Sequence, residues 1–191
     1  EVARVRPLVM KMRGGAVSPG RWVSAYCEPG GWFEADRAHR ALEAWVARMD
    51  DDPEPRLEQT IELVRRDHET LLEAMAQGYS AALVAAKWSV SEILHQTRIY
   101  PELVERAGGR VAYFFVDAMR YEMGAELAQL LADAEDVRLA PAIVALPSIT
   151  HVGMAALLPG ASASFSVVEH KGKLASKIED TIMPGLGERQ R

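Results

Sequence analysis

Six consecutive apolar residues, Val111-Ala-Tyr-Phe-Phe-Val116, run straight into a carboxylate, Asp117. A short unbroken run rich in β-branched and aromatic side chains is the pattern of a central parallel strand covered on both faces. Such strands are joined by crossover helices, which commits this part of the chain to an α/β arrangement. The following residues agree. Helical spacing returns from Tyr121 to Leu131, with Met123, Leu127, Leu130 and Leu131 as packing positions. A second strand is expected across Val137 to Leu146, a short helix from Thr150 to Leu158, and a third, polar-edged strand from Ser164 to Glu169.

The residues before this run keep a different period. After a loop-rich start (Gly14-Gly15, Pro19-Gly20, Pro29-Gly30-Gly31), Asp36 is placed to cap a helix. Its apolar stripe is Ala38, Ala41, Leu42, Trp45, Val46 and Met49. Asp50-Asp-Asp-Pro-Glu-Pro55 breaks the pattern. Leu57, Ile61, Val64, His68, Leu71, Met75 and Tyr79 then recur every three or four residues, the seam of a long helix packed against another. Glu62 and Arg66 are expected to pair on its exposed side. His68 lies on the apolar stripe with no second candidate ligand four residues away, so it reads as a core histidine. Trp22, Trp32, Phe33 and Trp88 are expected in the helical core. The period changes at Ala107-Gly-Gly109, which divides the chain into a helical region, 1–106, and an α/β region, 107–191.

Composition narrows the function classes. Of 191 residues, 49% are apolar and 26% charged, the balance of a soluble globular protein. A net charge of −5 argues against broad nucleic-acid binding by charge alone. Arg4, Arg6, Lys11, Arg13 and Arg21 face a single acid, Glu1, in the opening stretch, and read as a solvated helix face. Cys27 is the sole cysteine, which excludes an internal disulfide and a thiolate cluster and fits a reducing cytoplasm. No apolar run approaches the ~18 residues of a membrane-spanning helix. Nothing matches a Walker loop, a dinucleotide fingerprint or H-E-x-x-H. A start at Glu1 and a polar end at Gly187-Glu-Arg-Gln-Arg191 are those expected of a fragment.

Two residues stand where open α/β sheets place ligands, just beyond the carboxyl ends of strands. Asp117 can coordinate a divalent metal, cap the following helix, or accept a phosphoryl group as a nucleophile. Thr150 leaves a strand through a Pro-containing turn and opens a helix. There its hydroxyl either caps the helix or meets a phosphoryl group, and as a nucleophile it needs a metal or a base to activate it. His151 adjoins it, but neighbours on a helix point apart, so adjacency does not make it that base. An apolar strand ending in Asp117 also fits a phospho-receiver domain, yet residues 1–110 supply helices where a receiver needs an acidic pair.

Val116-Asp-Ala-Met-Arg-Tyr-Glu122, followed by Leu146-Pro-Ser-Ile-Thr-His-Val-Gly-Met-Ala-Ala-Leu-Leu-Pro-Gly160, resembles the start of the PglZ domain. Gly30-Gly-Trp32 and Asp36-Arg-Ala-His-Arg40 are similar to the region preceding that domain in PglZ proteins of BREX phage-defence systems. The resemblance implies an alkaline-phosphatase-like parallel sheet, only its amino-terminal part present, preceded by an all-helical region. It implies Asp117 as a metal-ligating carboxylate and Thr150 as a metal-bound nucleophile. The implied reaction is hydrolysis of a phosphate ester, a nucleic acid among the candidate substrates, with divalent metal, typically zinc. The implied partners are other BREX proteins, with no membrane, in the cytoplasm. The alternative is a non-catalytic interaction module of the defence complex. One carboxylate and one hydroxyl are too few to hold zinc tightly, so the fragment alone is expected to be inactive.

Overall fold

The helical period of the first hundred residues is realised in a computed structural model that describes residues 1–50, 53–134, 136–183 and 185. Contacts divide the chain into two units, Glu1–Glu92 with Arg120–Leu139, and Ile93–Met119 with Ala140–Arg191.

The first unit is helical. It contains α1 (Val2–Arg13), α2 (Pro19–Cys27), α3 (Phe33–Val46), α4 (Pro55–Ala85) and α5 (Tyr121–Leu130). Ser18 starts α2 by accepting the Arg21 N–H on its hydroxyl, with Pro19 in the first turn, where its missing donor costs nothing. Pro55 opens the 31-residue α4 in the same way. One apolar cluster unites Val5 and Val9 of α1, Trp22 and Ala25 of α2, Ala35 of α3, and Leu71, Ala74 and Met75 of α4. Trp22 and Trp32 meet edge to face with centroids 5.5 Å apart. Gly78 lets that happen: a Cβ there would lie 2.2 Å from the Trp22 ring.

Of the long stripe, Ile61, His68, Leu71 and Met75 are buried and Leu57 and Tyr79 half-buried, while Val64 is exposed. Trp22, Trp32 and Phe33 are buried too. Trp88 is not: it stands 62% exposed beyond the end of α4, where the chain turns away at positive φ. Asp36 does not cap α3, which begins three residues earlier. It lies in the first turn, turned toward other side chains. Among the described residues Glu62 and Arg66 do not pair. Arg65 instead grips Glu43 with two bonds of 2.7 Å. In the basic opening stretch, Arg4 meets Glu1, Arg6 meets Asp67, Arg13 meets Gln77 and Arg21 meets Glu28. The partners of Arg6 and Arg13 both lie on α4.

The second unit mixes strand and helix. β1 (Leu94–His95) pairs in parallel with β2 (Ala142–Ile143). β3 (Ser166–His170), β4 (Lys173–Ile178) and β5 (Thr181–Met183) form an antiparallel sheet in that order. Lys171 and Gly172, both at positive φ, make the two-residue turn between β3 and β4. Short helical turns occupy Gln96–Arg98, Tyr100–Val104 and Glu105–Ala107, and α6 (Thr150–Ala156) and α7 (Ala161–Ser164) follow. The inward positions Val152, Ala155 and Ala156 of α6 are fully buried among Ala145, Phe165, Val167, Ile178 and Met183.

The expected sheet is only partly realised. Val111–Val116 forms no strand, and none of its backbone groups bonds to another backbone group among the described residues. Phe114 is 81% exposed. A strand is defined by its neighbours, unlike a helix, and no strand lies alongside this one among the described residues. The second strand shrinks to Ala142–Ile143, and the third forms in an antiparallel hairpin rather than a parallel sheet. The fold shown is therefore mixed helix and strand, with a helical region and a small parallel pair.

Candidate functional site

Asp117 and Thr150, 33 residues apart, come together in the second unit. The Thr150 hydroxyl donates to the Asp117 carboxylate at 3.2 Å to Oδ2 and 3.4 Å to Oδ1, both distances at the long end for such a bond. Asp117 Oδ1 also accepts the Ala118 N–H at 2.9 Å. Ala118 has φ of +54°, a left-handed conformation that costs a residue with a Cβ about 1–2 kcal/mol.

Neither residue caps a helix. The residue before α5 is Arg120 and the residue before α6 is Ile149, and neither helix has a side-chain cap. Both functional groups are exposed. A hydroxyl bonded to a carboxylate at an open position can be deprotonated as it attacks, and both oxygens can bind a cation.

The other candidates are elsewhere. His151 faces away from Thr150, its Nε2 bonding to the Leu174 carbonyl at 3.1 Å. Arg120 and Glu122 belong to the helical unit, where Arg120 Nη2 lies 2.8 Å from the fully buried Glu122 carboxylate. Arg40 stands 3.8 Å from the same carboxylate and also pairs with Glu126. Arg120 thus serves an ion pair at the start of α5.

A second polar cluster was not anticipated as a unit. In the helical unit, Asp36 accepts a 2.5 Å bond from the Tyr26 hydroxyl and lies 2.9 Å from His68 Nε2. The His68 ring stacks on His39 at 3.9 Å, 6° from parallel. Burial, and then the Asp36 carboxylate, push the Tyr26 hydroxyl well above its ordinary range. Burial and then the His68 imidazole hold His39 below the usual histidine value. Burial alone pushes the Cys27 thiol up to about 12, which leaves it an inert thiol near neutrality. The sequence signal for this cluster was an acid and a histidine three residues apart in Asp36-Arg-Ala-His39, with His68 on an apolar stripe.

Among the described residues, no group of three or more His, Cys, Asp or Glu side chains is placed to hold a metal. No helix among them is long and apolar enough to cross a membrane. Compared with known proteins, residues 94–174 match the family model described as the BREX system PglZ alkaline phosphatase-like domain. No curated protein and no solved structure gives a match.

Proposed function

We propose, from the match of residues 94–174 to the PglZ domain model, that the chain supplies the nucleophile end of a phosphate ester hydrolase in a phage-defence system. Thr150 is the nucleophile and Asp117 its carboxylate partner. The observation that carries this reading is the 3.2 Å bond between them, made across 33 residues by two groups that cap nothing.

A threonine hydroxyl alone is a poor nucleophile at neutral pH. Asp117 takes its proton as the Oγ–P bond forms and the ester P–O bond breaks, and the departing oxygen is protonated by water. Attack of a second water on phosphorus in the resulting threonine phosphate ester breaks the Oγ–P bond, and the proton held by Asp117 returns to the hydroxyl. When bound, a divalent cation such as zinc would neutralise charge on the phosphoryl oxygens. The described residues do not by themselves fit one. Catalytic zinc takes three protein ligands, and this place offers one carboxylate and one hydroxyl. Any ion held there needs ligands from outside the described residues.

In this reading the domain begins near residue 107, the helical region 1–106 precedes it, and the partners are other BREX proteins. Phosphate mono- and diesters, nucleic acids included, are the substrate class. The incomplete ligand set and the uncovered Val111–Val116 run favour one alternative, a non-catalytic interaction module.

Turnover of an activated phosphodiester by the intact protein, with zinc or manganese supplied, separates the two. Thr150→Ala and Asp117→Ala are each expected to lose at least about a hundredfold. Turnover unchanged in both variants would overturn the roles of Thr150 and Asp117, and no turnover above background in the wild type would leave the interaction module standing.

A further inference from the structure

The hydroxyl of Ser176 has no packing reason to be where it is. Ser176 lies inside β4, opposite Val167 on one side and Met183 on the other, and is fully buried. A buried hydroxyl is unfavourable unless it is hydrogen-bonded, and alanine would fill most of the same space. Its O–H donates to the His151 carbonyl at 3.3 Å. His151 makes a second tie to the same strand, through Nε2 to the Leu174 carbonyl at 3.1 Å. A carbonyl only accepts, so that nitrogen carries the proton. Both ties join β4 to the residue after Thr150, in the first turn of α6. The approach to that turn is fastened as well, since the Gln96 side-chain oxygen accepts the Ala145 N–H at 3.1 Å.

We infer that His151 and Ser176 are positioning residues, clamping the first turn of α6 to β4 and so holding the Thr150 hydroxyl within reach of Asp117. The Thr150–Asp117 bond is already long, so a shift of a few tenths of an ångström in that turn breaks it. Val152, Ala155 and Ala156 hold the far side of α6 by packing, which tolerates small sliding. The two polar ties set the register that packing leaves free. The catalytic consequence rests on the hydrolase reading of Thr150, whereas the clamp does not.

Two variants remove one tie each: Ser176→Ala deletes the hydroxyl, and His151→Leu deletes the imidazole donor. His151→Gln keeps an N–H donor that can reach the Leu174 carbonyl. In the isotope-labelled chain, amide exchange over Val152–Ala156 is expected to be about tenfold faster in Ser176→Ala and His151→Leu. The Thr150 methyl resonance shifts in both, and His151→Gln returns both readouts to wild type. In the intact protein, His151→Leu is expected to lower kcat for an activated phosphodiester about tenfold at nearly constant KM, with His151→Gln restoring most of it.

Unchanged exchange and an unmoved Thr150 methyl in both tie-removing variants overturn the clamp, whatever the turnover. If those signals respond while Thr150→Ala turns over like wild type, the clamp stands and the hydrolase reading falls. His151 is only partly buried and Ser176→Ala removes a single oxygen, so both chains fold, which a thermal melt verifies.

Discussion

Asp36, His39 and His68 show how much of a residue's role depends on partners the local sequence does not reveal. His68 was legible as a core histidine because its position on the stripe demands burial. Its bond to Asp36 spans 32 residues and was not legible, and Asp36 read more simply as a cap. His39 carries a pH dependence. Its folded pKa is held below the ordinary ~6.5 by burial, then by the neighbouring imidazole, so the native ring binds fewer protons than the unfolded one. That contribution to stability is fully present above about pH 6.5 and is lost as pH falls through that value toward the folded pKa. Urea unfolding from about pH 7 down to 5 should show stability falling, and His39→Phe should flatten that fall; equal slopes would refute it. Gly78 is a simpler case. Gly78→Ala drives a Cβ to 2.2 Å from the buried Trp22 ring and should destabilise by about 1–3 kcal/mol in denaturant titration.

Helices were the readable elements because each satisfies its backbone within itself. α4 runs over the residues its stripe marks out, and α5 stops one residue short of its expected end. Val111–Val116 has the composition of a central strand but finds no partner among the described residues, since strand pairing depends on chain far away in sequence. The hairpin between β3 and β4 went unread because Lys171-Gly172 is a weak turn signal compared with Asn-Gly. Lys171 nevertheless adopts φ of +52°. Lys171→Asn, a residue better suited to that conformation, should raise the stability of the chain by about 0.5–1 kcal/mol, read as a higher Tm. A lower Tm would mean that the turn is not of the type described.

At the scale of the whole molecule, the two units carry different kinds of chemistry. The helical unit holds Glu122 in an ion pair with Arg120 and joins Asp36, His68 and His39 through a hydrogen bond and a ring stack, an arrangement suited to holding helices in register. The second unit leaves Asp117 and Thr150 open and paired with each other. Both were legible as candidates because polar groups at strand ends stand out against apolar runs. The ligands that a metal would need were not legible, and the described residues do not supply them. A nucleophilic Thr150 must itself become bonded to phosphorus. The intact protein, incubated with an activated phosphate monoester and quenched in acid, should yield a peptide carrying one phosphoryl group on Thr150, with none in Thr150→Ala. Sustained turnover with Thr150 unmodified, and undiminished in Thr150→Ala, would contradict it.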